Sequence, residues 1–268
     1  MIACTTAVVL AAGLGRRMRR DADGTALDRA QAAAAAAGMK AMIPDSRGRP
    51  FLDHVLSSLA DGGVRDVCLA IGPDHDAIRE HYQRRPPRRV EVSFVVQPAP
   101  RGTADAMLTA RAWIGDRDVL VLNADNLYPV TAISALVELG APGCVAFDRA
   151  ALIRESNIEP ARIGAFAVLT LRPDDTLTDI VEKPGDAPAV GNWISMNIWR
   201  FDQNIFSACR DVPLSPRGEY ELPLAVALAI SRGMRIHAVR LRAGVLDLSN
   251  RGDIADVARR LGDREIQP

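Results

Sequence analysis

The chain has 268 residues, 48% of them hydrophobic, with 33 Lys+Arg against 33 Asp+Glu. That length suits one large α/β domain or two small ones, and a balanced charge gives no reason to expect nucleic acid or a membrane surface as partner, so any basic site must be a local concentration. Cys4, Cys68, Cys144 and Cys209 stand singly, without metal-ligand or redox spacing, which suits a reducing compartment and no disulfides. The opening Met1-Ile2-Ala3-Cys4 has no basic leader and the first apolar run is too short to span a bilayer, so a soluble, cytoplasmic protein is expected.

In chain order, Thr6–Leu10 predicts a buried strand that runs into Gly13-Leu14-Gly15 and then Arg16, Arg17, Met18, Arg19 and Arg20. Glycines let backbone N–H groups approach phosphate oxygens closely, and arginines add planar, permanently charged donors, so the segment suits a polyphosphate. The plainer alternative is a tight βα turn with a solvated basic helix start. Met18 stands where a dinucleotide fingerprint needs its third glycine, and no Gly-Lys-Ser/Thr follows, which argues against a dehydrogenase and a P-loop enzyme. Asp21–Gly24 reads as a loop. Ala26 to Ala37 has high helix propensity, with Gly38 as a C′ residue.

Lys40 then precedes a helix predicted over Pro50–Asp61. Strands at Val67–Ile71, Val90–Val96 and Val119–Leu122 alternate with helices at Asp74–Gln83 and Ala104–Trp113, which gives a βαβ series and a doubly wound, mostly parallel sheet. Ligands bind beyond the carboxyl ends of such strands, where the glycine turn and Asn123-Ala124-Asp125 both fall. Ala165–Leu171, Leu177–Glu182, Trp193–Phe201 and Arg235–Arg242 are closely spaced and partly alternating. They predict an antiparallel extension beside the nucleotide-binding half. A single domain over residues 1–268 is expected, with a nucleotide-binding half (1–130) and a second half (131–268).

Several side chains in this frame can carry chemistry. Gln97 and the Gly102 backbone sit in a proline-braced loop and could read a base edge, with Thr103 capping the following helix; a merely capped helix is the alternative. Asp125 ends a buried strand opposite the arginines, where a carboxylate can hold Mg²⁺ against phosphates or serve as an N-cap. Glu182-Lys183-Pro184 ends another strand and can contact a sugar hydroxyl and its phosphate. Arg217 to Glu221 could line an acceptor pocket or simply start a helix. Asp247 is flanked by apolar residues, and a buried carboxylate needs a metal or cationic partner. His54, His75, His81 and His237 suggest neither a triad nor a zinc site and read as structural or surface residues.

Taken together, Leu10 to Met18, Lys40, Gln97 to Ala106, Asn123 to Tyr128, Glu182 to Pro184, Ser195 to Trp199, Gly218 to Glu221 and Asp247 resemble the sugar-1-phosphate nucleotidylyltransferase family, over nearly the whole chain. The resemblance implies a Rossmann-like nucleotidyltransferase fold with an antiparallel sugar-binding extension. It also implies an enzyme converting an NTP and a sugar 1-phosphate to an NDP-sugar and pyrophosphate, with Mg²⁺ as cofactor. Residue by residue, it implies nucleotide contacts at Leu10, Ala12, Gly13, Gly15, Arg17, Gln97, Gly102 and Thr103. The sugar phosphate would fall to Asn123, Gly164, Glu182, Lys183 and Ser195, the metal to Asp125 and Asp247, and catalysis to Arg17, Lys40 and Lys183. The small-molecule substrates imply no nucleic acid and no membrane partner; a homo-oligomer is compatible with the sequence.

The sequence departs from the family pattern in three places. Arg17 and Lys40 are further apart by about a dozen residues, Asn197 stands where glycine is usual, and Leu248-Ser249-Asn250 replaces the common Val/Thr-Gly-Thr. Gln97 before Pro98 resembles thymidylyl and uridylyl transferases, whereas Gly102 to Ala106 and Ser195-Met196 resemble ADP-glucose pyrophosphorylase. A cytidylyl- or guanylyltransferase acting on a non-sugar phosphate, or a nucleotide-sugar sensor without turnover, are the other readings.

Overall fold

Apolar runs with little polar alternation need cover on both faces, and helices on both sides supply it here. The computed structural model describes residues 3–19, 27–182, 191–262 and 264–268. Its elements follow in the order β1 (Thr6–Leu10), α1 (Arg16–Arg19), α2 (Arg29–Ala36), α3 (Phe51–Asp61), β2 (Asp66–Ile71), α4 (Asp76–Arg84), β3 (Glu91–Val96), α5 (Thr103–Ile114), β4 (Val119–Asn123), β5 (Asn126–Leu127) and α6 (Val130–Glu138). The second half continues with β6 (Gly143–Asp148), α7 (Arg149–Glu155), β7 (Ala167–Leu171), β8 (Leu177–Val181), β9 (Trp193–Phe201), α8 (Ile205–Asp211), α9 (Leu222–Ser231), β10 (His237–Leu241), β11 (Leu246–Asp247) and α10 (Arg251–Leu261).

Among the described residues one nine-stranded sheet runs β10-β6-β9-β4-β1-β2-β3, with β7 and β8 off this path. Pairing is parallel for β1 with β2 and β4, for β2 with β3, and for β6 with β10. Strand periodicity divides the core. Ala7 and Val9 face a layer with Leu56 of α3, Ile133 of α6 and Ile254 of α10, while Val8 faces the opposite layer with Met107 of α5, Phe206 of α8 and Val226 of α9. The doubly wound, mostly parallel architecture is as the sequence predicts.

The second half corrects one expectation. Trp193–Phe201 is not part of an appended sheet: β9 lies inside the main sheet, antiparallel to both β4 and β6. Its burial is nearly continuous along nine residues, and a strand covered on both faces belongs in a sheet interior. The Arg235–Arg242 stretch forms β10, parallel to β6, and among the described residues the β7–β8 hairpin alone projects as an antiparallel extension from β9. Asn197 has φ +57° within β9. This explains the departure from glycine, because Asn is among the few other residues that tolerate that backbone region.

The predicted alanine-rich helix is present as α2, and Gly38 with φ +72° follows its C-terminal end as expected. Asp28 and Gln31 form a reciprocal capping box at its start, and the Gln31 amide also donates to Pro44 O at 3.2 Å. The helix end docks onto the glycine turn. A Cβ built on Gly15, whose φ is +58°, would lie 2.2 Å from Gly38 O, and the Arg19 guanidinium donates to Ala37 O at 3.0 Å. A Cβ on Gly13, in contrast, meets nothing within 4 Å.

These two glycines therefore have separable roles. Gly15→Ala should destabilise the protein by about 2 kcal/mol through strained backbone and lost docking, whereas Gly13→Ala should stay within about 0.5 kcal/mol of wild type. Urea denaturation of both variants checks this.

Candidate active site

A cleft of about 580 Å³ opens at the carboxyl ends of β1, β3 and β4, the point where strand order reverses around β1. Leu10, Ala12, Gly13, Gly15, Arg17, Lys40, Gln97, Gly102, Thr103, Asn123 and Asp125, all singled out from the sequence, line it. Gly164, Glu182, Ser195 and Asp247 do not. Gly164 lies in a turn at Pro160–Ala165, and Ser195 is buried with its hydroxyl accepting the Asn197 N–H at 3.2 Å. Glu182 is half-buried at the end of β8, whereas Lys183 lies outside the described residues.

The loop between β3 and α5 is stiffer than its sequence suggests. The buried Gln97 amide donates to Gly102 O at 3.0 Å and to Asp105 Oδ2 at 2.7 Å, so its donor is spent within the loop. Thr103 does not cap α5. Gly102 occupies the N-cap position without a side-chain bond, and the Thr103 hydroxyl instead accepts the Leu222 N–H at 2.8 Å. Backbone bonds between Tyr220 N and Arg101 O at 2.7 Å, and between Ala104 N and Tyr220 O at 2.9 Å, tie the same loop to the Gly218–Glu221 segment. Arg217 and Glu219 line the cleft while Glu221 is the N-cap residue of α9, so the segment both borders the cleft and starts a helix. Burial works against the Arg217 charge, yet Glu221, Glu219 and Glu182 together push its guanidinium above its ordinary value.

The two predicted metal carboxylates come together through a short ladder. β11 pairs antiparallel with β5, setting Asp247 opposite Asn126, and Leu248 N donates to Asp125 O at 2.8 Å. Asp125 is thus not an N-cap; that position before α6 belongs to Pro129. Its Oδ2 lies 2.8 Å from Lys40 Nζ. Asp247 is 3% exposed. Its Oδ1 accepts from Asn126 Nδ2 and from Ser249 Oγ, both at 3.0 Å, and its Oδ2 pairs with Arg162. Burial first, and the Asp125 carboxylate second, push the Asp247 carboxyl up from 3.8 to about 6, against the pull of Ser249 and Arg162.

Arg162 is the principal site residue that sequence reasoning missed. It joins Asp247 to Asp253, with Nη1 on Asp253 Oδ1 at 2.5 Å, and nothing in the Pro160–Ala165 stretch marks it in advance. The replacement of Val/Thr-Gly-Thr by Leu248-Ser249-Asn250 also gains a reason. The Ser249 and Asn250 N–H groups both donate to Asp253 Oδ2 at 2.9 Å, and Asn250 caps α10. His75 borders the cleft, but its ring serves the backbone, accepting from Gly72 N at 3.2 Å; burial holds it below its ordinary value despite the Ala11 carbonyl. The structural reading of His75 stands.

The donor set fits Mg²⁺. Among the described residues no cluster of three or more His, Cys, Asp or Glu forms, and a hard cation held by one or two carboxylates with substrate phosphates completing its shell needs no more. Two neighbouring carboxylates, one of them raised toward neutral pH by burial and by the other's charge, are a suitable acceptor for such an ion.

The raised Asp247 carboxyl has a definite sign. The folded state holds its proton more tightly than the unfolded chain, so this group's contribution falls as pH rises from about 4 to about 6. Without metal, wild type should lose of order 2–3 kcal/mol relative to Asp247→Asn across that window, as measured by urea denaturation at pH 4 and pH 7.

The chain is similar to known proteins along most of its length. The profile of the nucleotidyl transferase family matches residues 35–262. The UTP–glucose-1-phosphate uridylyltransferase AglF of Haloferax volcanii is 28% identical over 261 residues, covering 97% of this chain and 98% of that protein. A glucose-1-phosphate thymidylyltransferase of Streptomyces antibioticus is 27% identical over 215 residues, covering 79% of this chain and 57% of that protein. A crystal structure of a UDP-glucose pyrophosphorylase complexed with UDP-glucose shares the fold at a TM-score of 0.76 and 16% identity, over 97% of this chain and 98% of that one. No helix among the described residues is long and apolar enough to cross a membrane.

Proposed function

We propose that this chain, which belongs to the nucleotidyl transferase family, transfers a nucleotidyl group from an NTP to a sugar 1-phosphate, giving an NDP-sugar and pyrophosphate. The observation that carries this reading is the meeting of Asp125 and Asp247 beside Lys40 at the mouth of a glycine turn. AglF and the Streptomyces thymidylyltransferase support uracil or thymine as the base and a hexose 1-phosphate such as glucose 1-phosphate as acceptor.

Gly13, Gly15 and Arg17 receive the triphosphate, aided by Leu10 and Ala12 in the same turn. The absent Cβ of Gly13 leaves open space for it. Gln97 Oε1 and the Gly102 N–H receive the base edge, Thr103 holds that loop against α9, and Asn123 lies toward the acceptor. Glu182 and Lys183 take the sugar and its phosphate, and Gly164 and Ser195, which do not line the cleft, make no direct contact with it. Asp125 and Asp247 would hold Mg²⁺. When bound, the ion supplies positive charge to the α-phosphate.

The reaction is an in-line displacement. A sugar-phosphate oxygen forms the new bond to the α-phosphorus, the α–β bridging P–O bond breaks, and pyrophosphate leaves with those electrons. The attacking oxygen is already ionised at pH 7, so no general base is needed, and the protein's task is positioning and screening two anions. Arg17 and Lys40 hold the departing pyrophosphate, and Lys183 steadies the incoming phosphate. Cleft-borne chemistry on soluble phosphates, with Cys4, Cys68, Cys144 and Cys209 all unpaired, suits a cytoplasmic enzyme.

Pyrophosphate release with a panel of NTPs and sugar 1-phosphates, with and without Mg²⁺, tests the proposal. Turnover should be metal-dependent and best with UTP or dTTP, and Asp125→Ala or Lys183→Ala should lower kcat by roughly 10²-fold with the fold intact. Near-normal turnover in a variant removes that residue's role. Tight NTP binding without release would mark a sensor, and turnover with CTP or GTP on a non-sugar phosphate would reassign the substrates.

A further inference from the structure

We propose that Arg162 is a resident rival of the divalent ion: it neutralises Asp247 in the free protein and must release that carboxylate before a metal can load. The inference rests on the reading of Asp125 and Asp247 as the metal ligands.

The asymmetry of the Arg162 contacts carries it. One arm, Nη1, sits on Asp253 Oδ1 at 2.5 Å, and Asp253 is itself fixed because its other oxygen takes two backbone N–H groups at 2.9 Å. The other arm, Nη2, sits on Asp247 Oδ2. Asp247 cannot turn away to share that oxygen. Its Oδ1 is engaged by Asn126 and Ser249, and its backbone is clamped by Asn157, whose side chain accepts from Asp247 N at 2.7 Å and donates to Asp247 O at 2.8 Å. Oδ2 is therefore the oxygen a metal would take, and it is already covered by a cation.

Release costs little on the Arg162 side. Its side chain is 22% exposed, so the freed arm can meet water while the anchored arm stays on Asp253. Lys40 covers Asp125 Oδ2 in the same way, so in the free protein both candidate ligand oxygens already carry a basic group, Arg162 being shared between Asp247 and Asp253. An incoming divalent ion must displace both basic groups from these oxygens, which is easier when a polyanion arrives with it to receive them. The metal accordingly loads with the nucleotide rather than before it.

Titration of the nucleotide-free protein with Mn²⁺, followed by electron paramagnetic resonance, tests this. Wild type should bind weakly, Arg162→Met about tenfold or more tightly, and Arg162→Lys between the two, because one charge-assisted pair no longer has to be broken. Unchanged or weaker Mn²⁺ binding in Arg162→Met overturns the proposal and makes Arg162 a support for the metal site instead. Should Arg162→Met fold poorly, the rise in Tm on adding Mn²⁺ to Arg162→Lys serves; it should exceed the wild-type rise, and an equal or smaller rise overturns the proposal. Asp125→Asn and Asp247→Asn in the Arg162→Met background separate the two claims: if neither weakens Mn²⁺ binding, the ion is held elsewhere, and both the metal assignment and the rivalry fall.

Discussion

Everything at this site depends on holding two like charges close together. The two-residue ladder between β5 and β11 does so with backbone hydrogen bonds, which do not weaken when the carboxylates repel. Left alone, a carboxylate pair with one member buried, as Asp247 is, would be unfavourable. The protein offsets it with Lys40 on Asp125 and with Arg162, which Asp247 shares with Asp253. These partners come from the segment after α2 and the turn before β7, so the electrostatic demand of two residues recruits four separate stretches of chain.

The rest of the cleft is built by the same logic of backbone-first placement. The sheet order turns back at β1, which leaves a gap above the carboxyl ends of β1 and β4, and the glycine turn is fixed in that gap by its approach to Gly38. On the opposite wall, the loop carrying Gln97 is laced to the segment before α9 through Arg101, Thr103, Ala104 and Tyr220. A Cβ on Gly102, whose φ is +111°, would lie 2.5 Å from Tyr220 O. Such contacts pre-order the walls before any ligand enters.

Much of the first half was legible because its signals are local. Buried parallel strands are short apolar runs and their helices are amphipathic, so β1 to β4 with α3 to α5 follow from periodicity, and the glycine turn announces itself by composition. The second half mixes strands of both directions in one sheet. β9 contains Ser195, Met196 and Asn197 amid apolar residues, which reads as partial alternation, and β6, Gly-Cys-Val-Ala-Phe-Asp, lacks the β-branched density that marks a strand. The site residues on the glycine turn and at the ends of β3 and β4 were readable from their neighbours. Arg162 was not, because its role comes from contacts with Asp247 and Asp253, some 85 and 91 positions away, and no local pattern encodes a distance of that kind. The cap assigned to Thr103 failed for a related reason: a nearer acceptor role was outbid by Leu222 from another element.

The make-up of α2 has a consequence for how the protein responds to heat. Of its residues only Ala34 and Ala35 are buried, and methyl groups bring little apolar area out of water, so this rim adheres mainly through its cap, a few backbone bonds and the close fit at Gly38. The central sheet, with Val8, Leu69, Val121 and Trp199 wholly enclosed, adheres far more strongly. Lys40 follows directly on the weakly attached part. Warming should therefore disengage the lysine-bearing rim while the sheet is still intact, so that the protein loses its chemistry at a lower temperature than its shape.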